Sequence, residues 1–273
     1  MKRVSLFDLS SILIAGCLST TSANAGVPPP GFTETVLVNG TFGTGVQSPT
    51  SIAYEPGSGN LWITEKGSTS LNSPRIRVRD ASTGVVTTAL TLSCVNSSGE
   101  RGILGIAFDP DFTDSSGQNR YVYVFYTRRY TSSGTACWES GVSSSTRTRV
   151  SRFLETSGQL SNEDVIFEGP ALTGATNHNG GAIRFGADKT LYIGIGDNDT
   201  DADSNPLSRD LTDVRGKILR INRDGTIPTN NPFYGNPNDP GADPELDEIW
   251  AWGLRNPFRT GFDIASDTLF IAD

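Results

Sequence analysis

One pattern recurs four times along this chain, and repetition at this spacing restricts a fold to a radial or stacked array of similar units. In each copy a short apolar strand carrying an aromatic is followed, after a tight polar turn, by a second apolar strand. The copies are Pro49–Pro56 with Leu61–Glu65, Ile103–Pro110 with Tyr121–Tyr126, Gly181–Gly186 with Leu191–Asp197, and Phe258–Asp263 with Leu269–Asp273. The recurring aromatic is Tyr54, Phe108, Phe185 and Phe262, at intervals of 54, 77 and 77 residues. β-Branched and aromatic residues dominate the strands, while Gly, Pro, Asp, Ser and Thr fill the turns, as hairpins require.

Further strands lie between the copies. Arg75–Arg79 pairs with Val85–Leu92, Thr148–Leu154 pairs with Val165–Phe167, and Lys217–Ile221 ends at Asp224-Gly225. Four strands per unit is the blade of a β-propeller. The expected architecture is therefore all-β: an incomplete ring of three blades plus the first hairpin of a fourth. The sequence stops at Asp273 inside a strand pattern, whereas a ring closes with four or more blades. Residues 26–273 are thus expected to be the N-terminal part of a longer propeller domain. An open ring would expose a blade-sized apolar face and a strand edge, and so favour aggregation. The repeat alone leaves an open β-sandwich and a small four-bladed ring as alternatives.

Composition narrows the setting. With 22 Lys+Arg against 30 Asp+Glu the chain carries a formal charge of −8, which disfavours broad binding to nucleic acid or anionic lipid. No apolar run is long enough to span a bilayer as a helix. Residues 1–25 read as an export signal: Lys2 and Arg3, an apolar stretch from Ile12 to Gly16, then Ala23-Asn24-Ala25 as the cleavage site. The expected location is periplasmic or secreted. Ile14-Ala15-Gly16-Cys17 also resembles a lipoprotein box, which would anchor the chain through Cys17. Cleavage after Ala25 leaves Cys94 and Cys137, expected to form one disulfide worth roughly 3–4 kcal/mol. Two unpaired buried thiols are the alternative.

Equivalent positions in successive blades face a common axis. Seven residues before the repeat aromatics stand Gln47, Arg101, His178 and Arg255, flanked by Glu100, Asn177, Asn179 and Asn256. A polar ring at one mouth follows from the repeat itself. His178 is the sole histidine and a natural base near neutral pH. Arg255 can hold a carboxylate or a developing oxyanion, or serve as a structural ion pair. Asp197-Asn198-Asp199-Thr200-Asp201-Ala202-Asp203 alternates carboxylates as calcium loops do but lacks their glycine and terminal glutamate, and reads as a solvated acidic loop.

Several blocks together resemble the soluble quinoprotein glucose/sorbosone dehydrogenases: Gly99-Glu100-Arg101-Gly102-Ile103-Leu104-Gly105-Ile106-Ala107-Phe108-Asp109-Pro110, His178-Asn179-Gly180-Gly181, Gly216-Lys217-Ile218-Leu219-Arg220-Ile221, and Gly253-Leu254-Arg255-Asn256-Pro257. The resemblance implies a six-bladed propeller that oxidises a hydroxyl-bearing carbon of an aldose by hydride transfer to pyrroloquinoline quinone (PQQ), with an undefined electron acceptor. It implies His178 as base, Arg255 and Asn256 as contacts to the quinone, and Glu100 and Asn177 as neighbours of the substrate. It also implies a calcium ion, with ligands expected beyond Asp273, and hence weak quinone affinity for these 273 residues alone. Asn177 stands where the family has aspartate, and Glu100 where it has glutamine, so the sugar is left open. The competing readings are a non-catalytic propeller that binds a glycan or protein, and a calcium-dependent hydrolase of lactonase type.

Overall fold

The computed structural model describes residues 29–38, 45–67, 74–113, 116–131, 144–172, 174–198, 207–235 and 247–273. The export signal, Cys17, Cys137 and most of the acidic loop after Asn198 lie outside the described residues. The chain divides into two compact units, Met1–Leu37 and Val38–Asp273. The second holds every strand named below.

Three antiparallel four-stranded sheets and one hairpin follow each other along the sequence. The first contains β1 (Pro49–Tyr54), β2 (Leu61–Glu65), β3 (Arg75–Arg79) and β4 (Val86–Thr91). The second contains β5 (Ile103–Phe108), β6 (Tyr121–Thr131), β7 (Ser144–Thr156) and β8 (Gln159–Ala171). The third contains β9 (Ile183–Phe185), β10 (Leu191–Ile195), β11 (Lys217–Ile221) and β12 (Ile249–Trp252), and β13 (Arg259–Asp263) pairs with β14 (Thr268–Ala272). Each sheet is a simple meander, and the first strands of successive sheets lie side by side. This is the propeller arrangement expected from the repeat.

The sheets stack face to face, so the middle ones are buried on both sides. Strand β6 shows the consequence in sequence. Val122 to Tyr126 are all 0% exposed. Val122, Val124 and Tyr126 pack towards the first sheet with Trp62, Ile76 and Ile106. Tyr123 and Phe125 pack towards the third with Ile183, Leu191 and Ile193. Period-two alternation therefore disappears from the hydropathy of β6, because both faces need apolar residues.

The repeat aromatics hold neighbouring sheets together. Phe108 meets Trp62 of β2 edge-on at 5.6 Å, and Phe185 meets Tyr123 of β6 edge-on at 4.9 Å. Phe262 meets Tyr192 of β10 at 5.5 Å. In every case the aromatic of one first strand seats on the second strand of the preceding sheet. Tyr54 on β1 and Phe270 on β14, at the two ends of the array, are 58% and 62% exposed, and Ile52 and Ile264 are exposed beside them in sequence.

Two strands depart from expectation. Strands β7 and β8 run well beyond the apolar cores of Thr148–Leu154 and Val165–Phe167 and turn at Ser157-Gly158. Strand β12 has no counterpart in the sequence reading. Cys94, with φ of 62°, is disulfide-bonded, and its expected partner Cys137 lies outside the described residues. Fully buried Trp62 donates its Nε1–H to Glu55 at 3.1 Å. Trp62→Ala is expected to lower the unfolding free energy by roughly 3–5 kcal/mol, against less than about 0.5 kcal/mol for Tyr54→Ala. Urea unfolding of both variants checks this; equal losses would refute the latch.

Candidate active site at the mouth of the hub

The residues that precede the first strands converge. His178 lies just before β9, and the main chain from 178 to 182 continues the pairing with β10: Asn198 N–H donates to His178 O at 3.0 Å and Gly194 N–H to Ala182 O at 2.8 Å. His178 has φ of 51°, a left-handed conformation unusual for a residue with a side chain. The turn is tight because a Cβ at Gly196 would sit 2.1 Å from His178 O, and one at Gly180 2.2 Å from Gly194 O. Glycine at both positions lets the backbone close behind the imidazole.

His178 is 6% exposed, and its Nδ1 lies 2.8 Å from Asp197 Oδ1. Asp197 is itself 7% exposed. The solvated acidic loop expected from the sequence is therefore corrected at its first member. Asp197 lies two residues past β10, is buried, and meets the histidine ring at Nδ1. The signal was present, because Asp197 directly follows the strand run Leu191–Gly196, but the alternating acids after it suggested solvent.

Glu100 is the bracket of the site. Its Oε2 accepts the main-chain N–H of His178 at 2.7 Å and Asn256 Nδ2 at 3.3 Å. Asn256 Oδ1 in turn accepts Gly180 N–H at 3.0 Å. Asp197 N–H donates to Arg255 O at 2.8 Å. Asp273 accepts the N–H groups of Arg255 and Asn256 at 3.0 and 2.6 Å. The loops entering β5, β9 and β13 are thereby joined around His178. The Arg255 guanidinium is exposed, and among the described residues no hydrogen-bond acceptor or carboxylate is assigned to it. Asn177 is exposed beside the histidine.

The remaining members of the ring serve the frame. Arg101 is 5% exposed and donates Nη2–H to Ala175 O at 2.6 Å and Nε–H to Asn179 Oδ1 at 3.4 Å. Burial, then the charge of Arg129, holds its guanidinium below the ordinary range. Gln47 donates its main-chain N–H to buried Glu65 at 2.7 Å. Lys66 donates to Gly99 O, next to Glu100; burial lowers its pKa, against the opposing charge of Glu100. Asn179, 2% exposed, ties its Nδ2 to Thr176 O at 2.7 Å.

Lys217 was not singled out in the sequence, yet it braces the site. It is 0% exposed, and its Nζ donates to Leu207 O, Ser208 O and Arg215 O at 2.7, 3.1 and 2.6 Å. The segment it grips receives Gly253 N–H at Ser208 O and Leu254 N–H at Gly216 O, immediately before Arg255. Burial pushes the Lys217 ammonium down to about 8, against the attraction of Asp213 and Asp210.

Two outcomes follow. Between about pH 8 and 10 the unfolded chain retains the Lys217 proton that the fold releases, so this group makes stability rise with pH in that window. Urea unfolding across the window should show the rise in the native chain and its loss in Lys217→Met. At neutral ring charge, the Nδ1–Asp197 bond should hold His178 as the Nδ1–H tautomer. Nitrogen-15 NMR of the sole histidine reads this directly, and an Nε2–H majority would refute the pairing.

The comparisons with known proteins agree with the propeller fold. The family model for "Glucose / Sorbosone dehydrogenase" matches residues 46–273. A Synechocystis protein, slr1608, is 31% identical over 231 residues, covering 80% of this chain and 50% of its own. The aldose sugar dehydrogenase YliI of Escherichia coli is 25% identical over 225 residues, covering 82% of this chain and 52% of its own. Among solved structures, the PQQ-bound form of aldose sugar dehydrogenase from Streptomyces coelicolor superposes with a TM-score of 0.62 at 30% identity, over 86% of this chain and 59% of that one. The chain spans about half the length of the curated relatives it matches. With three blades, a hub histidine on a buried carboxylate and this extent of similarity, the chain belongs to the glucose/sorbosone dehydrogenase family.

Proposed function

We propose that the protein oxidises an aldose at a hydroxyl-bearing carbon, with PQQ as the hydride acceptor and His178 as the base. The observation that carries this reading is the His178–Asp197 pair at 2.8 Å, buried at the mouth where the entry loops meet. With Nδ1–H donated to Asp197, the neutral ring presents Nε2 as its basic nitrogen. That atom takes the proton of the sugar hydroxyl, and Asp197 stabilises the imidazolium that forms. Its left-handed backbone, fixed by Glu100 and Asn198, leaves the ring little freedom to reorient.

The donor set fits a planar quinone that carries carboxylates. Arg255 offers an exposed cation on the segment whose main chain bonds Asp197, and Asn256 is held by Gly180 and Glu100 so that its amide cannot swing away. Arg255 and Asn256 would hold the cofactor, which when bound supplies the electron sink for the hydride. Glu100 and Asn177 border the space left for the sugar. Calcium belongs to the reading through family resemblance alone: among the described residues no group of three His, Cys, Asp or Glu side chains gathers to ligate a metal.

Export through the signal at 1–25 and pairing of Cys94 with Cys137 complete the proposal. Among the described residues no helix is long and apolar enough to cross a membrane. Thiol titration of the exported protein should find Cys94 and Cys137 reactive only after reduction.

The test is dye-linked oxidation of aldoses by the full-length gene product. Turnover should require added PQQ. His178→Ala should lower kcat by roughly 10²–10⁴-fold, and Asp197→Asn should lower kcat more than it raises KM. Unchanged turnover in His178→Ala would overturn the base assignment. Sugar binding without oxidation would favour a non-catalytic propeller, and hydrolysis of a lactone without quinone would favour the hydrolase.

A further inference from the structure

Asn198 stands second in the stretch 197–203 that reads as an acidic loop, yet it is 0% exposed. Its backbone has φ of 63°, in the left-handed region. It meets the segment that carries His178 at two points. Its main-chain N–H donates to His178 O at 3.0 Å, and its Nδ2–H donates to Ala175 O at 3.1 Å. One residue therefore holds segment 175–178 at both ends.

Its neighbour completes the hold. Asp197 Oδ1 lies 2.8 Å from His178 Nδ1, and Asp197 N–H donates to Arg255 O at 2.8 Å. On one side of this ring contact, the chain after His178 is tied to β10 by Gly181 N–H to Gly194 O at 3.1 Å and Gly194 N–H to Ala182 O at 2.8 Å. On the other side the tie is Asn198. The bonds from the loop entering β5 act on the same segment: Arg101 Nη2–H also donates to Ala175 O at 2.6 Å, and Glu100 accepts His178 N–H at 2.7 Å. They do not join it to the chain that carries Asp197. Asn198 is covalently next to Asp197, so its two bonds set the position of the carboxylate against that of the ring.

The residue type follows from two demands. The main chain must be left-handed, which Gly, Asn and Asp accept more readily than other residues. The side chain must donate to a carbonyl. Glycine meets only the first demand, and so does aspartate, whose ionised carboxylate accepts but does not donate. Glutamine meets only the second. Asparagine meets both.

We propose that Asn198 is a positioning residue, which keeps the His178 ring on Asp197 by fixing both ends of segment 175–178. Its effect on turnover rests on the oxidation proposed above; its hold on the ring does not.

The experiment uses the full-length gene product labelled with nitrogen-15 at histidine, with the His178 signals identified by their loss in His178→Gln. Asn198→Gly keeps the left-handed backbone and loses the amide. Asn198→Asp keeps size and backbone preference but sets an acceptor against Ala175 O. In both, the Nδ1–H tautomer should lose its dominance. With PQQ added, kcat for aldose oxidation should fall roughly 10–100-fold while KM changes little. A purely structural role would lower Tm and leave the ring signals and kcat of the folded protein unchanged, and that result in Asn198→Gly overturns the proposal. Hydrogen exchange of the native protein needs no variant: the Asn198 main-chain amide should be strongly protected, and rapid exchange there is equally fatal. If the native protein oxidises no aldose, the oxidation reading falls, while the tautomer and exchange measurements still decide the role of Asn198.

Discussion

The contact on which the arrangement depends is an aromatic from one sheet's first strand set against an aromatic on the second strand of the sheet before it. Trp62 with Phe108, Tyr123 with Phe185 and Tyr192 with Phe262 repeat it three times. The edge-on geometry of the first two uses the ring quadrupole and fixes the distance between neighbours more tightly than aliphatic packing does. Because the aromatic sits at the same position of each first strand, the latch also sets axial register. Residues seven positions earlier are thereby delivered to one mouth. The position of His178 is a consequence of packing many ångströms away.

Close approach at the hub imposes the glycines. A Cβ on Gly105 would lie 2.2 Å from Gly181 O, and one on Gly194 2.4 Å from Pro257 O, so the segments entering β9 and β13 touch β5 and β10 backbone to backbone. Side chains that carry chemistry must therefore come from the loops above these strands. There the chain turns sharply, and the left-handed His178 is held by hydrogen bonds to Glu100, Asp197 and Asn198. Rigid backbone below and a fully engaged loop above hold the His178 side chain in one place.

The sheets were legible in the sequence because each sandwiched strand is apolar on both faces, which makes it conspicuous. The elements that escaped notice obey the same logic in reverse. Strand β12, Ile249–Trp252, is short, follows a long polar segment and lacks a hairpin turn of its own. The outer parts of β7 and β8 are built largely from Ser, Thr, Arg, Asn and Glu, so their pairing leaves no hydropathic trace. At the site, His178 and Arg255 could be placed by counting from the repeat aromatic. Asp197 was harder, since its place directly after the strand run was hidden by the acidic residues that follow. The Glu100 bracket joins positions 78 and 156 residues apart, a relation no local pattern encodes.

The distribution of positive charge follows from the same geometry. Where strand ends and turns crowd together around the axis, carbonyl oxygens lose their ladder partners and need donors. Lys217 satisfies three, Arg101 the carbonyl of Ala175, Lys66 that of Gly99, and Arg184 and Arg259 those along the innermost strands. Long cationic side chains are suited to this, because they bring several N–H groups and no acceptor. A chain that is acidic overall thus places cations among the carbonyls of its inner turns for a structural reason, and carboxylates stand close to several of them: Asp213 and Asp210 to Lys217, and Glu100 to Lys66.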